Sequence, residues 1–398
     1  MSGFEPQSLQ RLRDVMVSHV DRGGVGGLAW LVARDGRVEV GVAGALTRGE
    51  PAAVGRDSVF RIASTTKPIV SVGALILLEE CRLRLDDPVD DLLPELADRR
   101  VLVDGRGAID GPTVPARASI TVRDVLTFRL GLGMDFEAGW PQPLLEQMDR
   151  LGMGAGPPEP QAPPGPDEWM RLLSTLPLLY QPGERWLYNT GADVLGVLLA
   201  RAAGQPLDVF LRERVLDPLG MVDTGFVARD VDRLGTCYSK DPTTGAPVVY
   251  DAPSGQWATT PAFPSGGGGM VSTVDDLHAF GSMLLAGGRL PDGGRLLARS
   301  SVEAMTTDQL GVADGAPGPM ADGSQGWGLG VGVQVRRTGP ARTVGTYGWD
   351  GGLGSSWAND PAERLIGVIL TTDMFTAPFP PPAVISDFWT CTYGALAD

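Results

Sequence analysis

Patterns with the two-residue period of a β-strand gather near the two ends of this chain, and helical patterns fill most of the middle. Residues 27–34, the pair Asp35-Gly36 and residues 37–42 read as a β-hairpin with a two-residue turn. Strand patterns return at 327–335, 343–347, 354–358 and 365–371. Between them lie helical patterns at 122–126, 168–178, 192–203, 207–215 and 274–286, broken by Gly/Pro loops. A last helix is expected over 383–395. Strands at both ends with helices between them suggest one antiparallel sheet assembled from the two termini. The fold class expected is therefore α/β (α+β), with a sheet region from residues 1–85 and 321–398 and a mostly helical insertion over 86–320.

Composition bounds the partners. The chain is 43% hydrophobic and 20% charged, enough for a large core of one or two domains. A formal charge of -15 argues against nucleic-acid or anionic-membrane partners. No basic segment with a following apolar run opens the chain and no run of 18 apolar residues occurs, so neither a signal peptide nor a membrane span is expected. Cys81, Cys237 and Cys391 are odd in number and far apart, which fits reduced thiols and a cytoplasmic location. No Cys or His pair has metal-ligand spacing, so no metal site is expected.

Of the 33 basic residues only Lys67 and Lys240 are lysines, and Lys67 stands three residues after Ser64. Arginine keeps its proton at working pH, whereas a desolvated lysine can lose it and act as a base. Residues 69–78 are apolar on nearly every side, as in a buried helix. Pro68 suits only a first turn, so this helix should begin close to Ser64, with Lys67 on the same face. Ser-x-x-Lys also occurs at ordinary exposed helix starts. Only His19 and His278 are present, both on surface or helix-face patterns, and no Gly-x-Ser-x-Gly pentapeptide occurs. A serine enzyme built on this chain would use a base other than histidine.

Other segments carry chemistry or shape. Tyr188 enters a helix and reads either as a hydrogen-bonded core residue or as a proton carrier beside a lysine. Glycines around Trp349 read as a turn or as a close backbone approach to a ligand. The Gly266–Gly269 run lacks the ending of a phosphate loop and reads as a tight path beside a sheet or pocket. Residues 154–166, rich in Pro and Gly, cannot be regular structure and form either a wall over a pocket or a passive insertion.

Together these pieces resemble the serine β-lactamase/penicillin-binding-protein superfamily, its class C-like branch, and within it the family VIII carboxylesterases. Ser64-Thr65-Thr66-Lys67 looks like the family's Ser-x-x-Lys motif, with Ser64 as nucleophile and Lys67 as base. Tyr188-Asn189-Thr190 with Asp193 looks like the second motif, in which Tyr188 shuttles the proton. Trp349-Asp350-Gly351 stands where the family has Lys/His-Thr-Gly or, in the esterases, Trp-x-Gly; Gly352 would add its N–H to that of Ser64 in an oxyanion hole. Segments 83–89, 217–226 and 268–277 are further similar framework.

The resemblance implies a class C β-lactamase-like fold, a serine hydrolase and no cofactor. Trp349, Asp350, Gly351 and Thr190 would contact the substrate. Trp349 and Asp350 replace groups that hold a substrate carboxylate, Thr190 replaces an asparagine and Phe128 a histidine. These departures favour a small neutral short-chain ester as substrate. β-Lactamase or D-amino peptidase activity, acyl transfer on the same fold, and a non-catalytic penicillin-recognising module are the alternatives.

Overall fold

The computed structural model describes residues 3–376 and 381–397. Helix α1 (Pro6–Asp21) opens with Pro6 in its first turn, where its missing N–H costs nothing, and with Glu5 accepting the Ser8 N–H. Its stripe of Leu9, Leu12 and Met16 is buried. Strands β1 (Gly27–Arg34) and β2 (Arg37–Gly44) form the expected hairpin. Asp35 (φ 51°) and Gly36 (φ 81°) both take the positive φ that a type I′ turn demands.

Strand β3 (Phe60–Arg61), a 3-10 turn (Ala63–Thr65) and helix α2 (Thr66–Glu79) carry the Ser64 segment. A small hairpin of β4 (Arg100–Leu102) and β5 (Thr113–Pro115) follows. Helices α3 (Val122–Leu126), α4 (Pro143–Arg150), α5 (Pro166–Ser174), α6 (Thr190–Ala203) and α7 (Leu207–Leu211) come next. The hairpin of β6 (Cys237–Lys240) and β7 (Pro247–Asp251) leads to β8 (Val271–Ser272), α8 (Val274–Leu285) and α9 (Arg299–Met305). Strands β9 (Gln325–Trp327), β10 (Gly332–Gln334), β11 (Tyr347–Gly351), β12 (Ser355–Asp360) and β13 (Leu365–Thr371) complete the sheet, and α10 (Ala383–Gly394) closes the chain.

The sheet is antiparallel in the order β2-β1-β13-β12-β11-β10-β9, so the two ends of the chain meet at β1 and β13, with Leu28 opposite Thr371. Alternation on β1 fills two cores. Leu28, Trp30 and Val32 pack under α1 and α10, whereas Ala29, Leu31 and Ala33 join the main core with α2 and α8. Helix α8 lies within residues 86–320 yet packs on β1, β12 and β13. Gly281 permits this: a Cβ there would lie 2.8 Å from Trp357 Nε1, and the Gly281 carbonyl accepts Asn359 Nδ2 at 2.7 Å.

Several local expectations are corrected. The run 327–335 is two strands, not one, because Gly330 (φ 81°) turns the chain where any side chain would strike Ser71. Residues 343–347 are mostly loop; the strand begins at Tyr347 and contains the Trp349 motif, held by the Trp349–Trp357 pair across β11 and β12. Helix α5 ends at Ser174 rather than near 178, before Pro177. Of the two readings of His19, surface or helix face, the second holds: it is on the buried face of α1, with Nε2 2.8 Å from Asp387 Oδ2 of α10.

Candidate active site

Strand β3 pairs with β8 and is tied to β7 by a buried ion pair between Arg61 and Asp251, both side chains under 5% exposed. Ala63 then adopts φ 41°, a region that costs a non-glycine residue about 1–3 kcal/mol. Ser64 follows, half-buried on the wall of a cleft of about 710 Å³.

Lys67 sits one turn along and is 1% exposed. Its Nζ lies 2.9 Å from Ser64 Oγ and 2.8 Å from Asn189 Oδ1, and bonds the Gly267 carbonyl as well. Burial pulls the amine down to about 7, against the nearby Asp193 carboxylate, which favours the charged form. Near neutral pH a large share of Lys67 is thus an uncharged amine able to take a proton from Ser64. The Gly266–Gly269 run supplies the cradle. Gly267 N–H and Ser265 Oγ donate to Asp193 at 3.0 and 2.6 Å, and a side chain at Gly266 would strike the Ala192 carbonyl.

Tyr188 approaches from the loop before α6, with Lys67 Nζ 4.6 Å from its ring centroid. Burial pushes the phenol well above the usual tyrosine range, opposed by hydrogen bonds involving Ser64 and Trp349. The indole N–H of Trp349 donates to Tyr188 Oη at 2.6 Å. Phe128, Phe136, Trp186 and Trp327 complete an aromatic box around the pair, with Phe136 and Trp186 ring centroids 5.0 and 5.6 Å from that of Tyr188. Asn189, the N-cap of α6, takes φ 78° and so reaches Lys67 while Tyr188 faces the cleft.

The Gly351 carbonyl accepts the Gly354 N–H at 2.9 Å within the β11–β12 turn. In a planar trans peptide the N–H of Gly352 therefore points the opposite way. Neither it nor the Ser64 N–H donates to another group among the described residues, and both residues line the cleft. Gly351 itself must be glycine, since a Cβ would land on the Ile62 carbonyl two residues before Ser64. Ser355 is fully buried, donating to the Ile62 carbonyl and bonded to Thr65. The 154–166 segment lines the cleft through Gly154, Pro157, Pro158 and Pro160, and Tyr250 Oη donates to the Pro158 carbonyl at 2.8 Å.

Residues 12–384 match the Beta-lactamase family. The chain belongs to that family. Family members similar to it include protein Rv1367c of Mycobacterium tuberculosis, 38% identical over 78% of this chain and 76% of that one. Esterase EstB of Burkholderia gladioli is 33% identical over 80% and 78%. Among solved structures, EstCE1, described as a hydrolase with promiscuous acyltransferase activity, superimposes with a TM-score of 0.80 over 98% of this chain and 99% of that one, at 27% identity. The β-lactamase fold and a serine hydrolase activity follow for this chain.

Within the family frame, the structure brings Ser64, Lys67, Tyr188, Trp349 and Gly352 together, with Asp350 at the border of the same cleft, and places Thr190 and Gly351 outside its lining. Thr190 is 3% exposed in the first turn of α6 and does not line the cleft. Its neighbour Asn189 meets Lys67 instead. Gly351 is a packing residue. Asp350 does border the cleft, but its charge is not free: Arg342 Nη2 lies 3.3 Å away and Ser356 Oγ donates to the same oxygen. Trp349 serves Tyr188 rather than presenting only an apolar face. Sequence reasoning missed Asn189 as a lysine partner, the aromatic box and Arg342. Asn189 was findable, because asparagine tolerates the left-handed region better than most residues; Arg342 left no pattern.

Proposed function

We propose that this chain is a carboxylesterase of the family VIII type, cleaving short-acyl esters of small molecules through a Ser64 acyl-enzyme, with no cofactor. Ser64 gives its proton to Lys67 Nζ as Oγ adds to the ester carbonyl. The N–H groups of Ser64 and Gly352 hold the oxyanion. Tyr188, a phenol at working pH, protonates the departing alkoxide and is reprotonated from Lys67. Water then enters by the reverse route and releases the acid.

The observation that favours an ester over a β-lactam is Trp349. Where the resemblance expects a cation for the substrate carboxylate, an indole spends its one N–H on Tyr188. A p-nitrophenyl ester series run beside nitrocefin tests this. The expected kcat/KM for the best short ester exceeds that for nitrocefin by at least about 10³, which corresponds to ~4 kcal/mol; comparable efficiencies would overturn the reading. An organophosphonate should add its mass to Ser64, and label found on Ser265 or Ser355 would displace the nucleophile. Acyl transfer is a second reading, favoured by the likeness to EstCE1. It predicts that an added alcohol diverts the acyl group to a new ester at the expense of free acid.

A further inference from the structure

The cleft wall holds four acids, Asp149, Glu159, Asp193 and Asp350, and one cationic side chain among the described residues, Arg342. Arg342 stands on the loop before β11 at φ 54°, a conformation unfavourable for a long side chain. The next residue fixes it there: Thr343 donates both its N–H and its hydroxyl to Asp360, at 3.2 and 2.8 Å. The guanidinium lies over the Trp389 ring, 4.7 Å from its centroid. Only Nη2 is engaged, at 3.3 Å from Asp350 Oδ1 and 3.4 Å from Ser356 Oγ, both long. Nε and Nη1 make no hydrogen bond among the described residues.

An ion pair would explain Arg342 and Asp350 by themselves, both side chains being less than a quarter exposed, but its one contact is long. It leaves unexplained a strained backbone, an aromatic platform and unused donors at the rim of a reaction cleft. A planar fork held over a ring is an arrangement that grips a carboxylate with little loss of freedom.

We infer that Arg342 docks a carboxylate carried by the ester substrate, at the end of the cleft bordered by α10. This rests on the esterase reading and adds a substrate class to it: esters of which either the acid or the alcohol part bears a second, free carboxylate. Asp350 competes for the same cation and so limits the preference. The acidic protein repels anions at a distance, so selection acts at contact.

The test compares matched pairs at about 0.15 M salt. One arm uses p-nitrophenyl half-esters of glutaric, adipic and suberic acid against their methyl-capped forms; the other uses 4-acetoxybenzoate against its methyl ester. The arms show which side of the scissile bond reaches Arg342. The quantity read is the ratio of kcat/KM, charged over uncharged. We expect a ratio above 1 in at least one pair. Arg342→Gln should lower it about 10- to 100-fold, as loss of a charge-assisted hydrogen bond does; Arg342→Lys should fall between, and Asp350→Asn should raise it several-fold. A ratio that stays below 1 in every pair, or that Arg342→Gln and Arg342→Lys leave unchanged, overturns the inference while the esterase reading stands. Turnover of neither member of any pair overturns both.

Discussion

Lys67 concentrates the chemistry in one titration. Its amine, depressed to about 7 by burial, must be neutral to accept the Ser64 proton. The acid limb of kcat/KM should therefore rise through pH 7 and level above it, and Lys67→Arg should lower kcat by roughly 10²–10⁴. Asp193 favours the charged form, so Asp193→Asn should move the limb to lower pH; an unmoved limb would mean that Asp193 already carries a proton. Trp349→Phe keeps an aromatic ring and removes the N–H from Tyr188. It should lower kcat about 10-fold or more with a smaller change in KM, and Trp349→His should recover part of the loss. A change confined to KM would return Trp349 to substrate contact.

At the scale of elements, one backbone approach decides whether the site exists. β11 reaches the nucleophile turn only because Gly351 lacks a side chain, so Gly351→Ala should abolish phosphonate labelling of Ser64, read by mass spectrometry, even where circular dichroism shows a folded chain. The 154–166 segment is different in kind. It lines the cleft and supplies none of the hydrogen-bond partners of Lys67, so replacing it with a short Gly/Ser link should shift the acyl chain-length optimum and leave labelling intact. An unchanged chain-length profile would make the segment a bystander.

For the whole molecule, the site is held at a cost to stability. Lys67 titrates near 7 in the folded chain and near 10.4 when unfolded, so between those values the unfolded state binds more protons and stability rises with pH. Lys67→Met should accordingly raise Tm more at pH 6 than at pH 9 while abolishing turnover. In the opposite direction, Asp251→Ala leaves the buried Arg61 uncompensated and should reduce unfolding free energy by about 3–5 kcal/mol in urea titrations.

The sequence by itself determined the architecture and the closeness of Ser64 to Lys67. Strand patterns at both ends bury their faces by joining one sheet, and one of only two lysines stands a turn from a serine on an apolar helix. The Asp35-Gly36 turn and the tight path at Gly266–Gly269 were legible for the same reason: each depends on local backbone geometry. What the sequence did not carry were encounters between distant segments. Alternation along 327–335 suggested one strand because Ser71, whose closeness leaves room only for glycine at the turn, lies 259 residues from Gly330. Thr190 and Asn189 are neighbours in sequence, and only the α6 N-terminus decided which of them faces Lys67. Asp350 looked like a free negative charge until the loop before β11 brought Arg342 beside it. Periodicity and covalent geometry act over a few residues, whereas pairing, burial and pKa depend on which remote groups share a space, and that is fixed by packing.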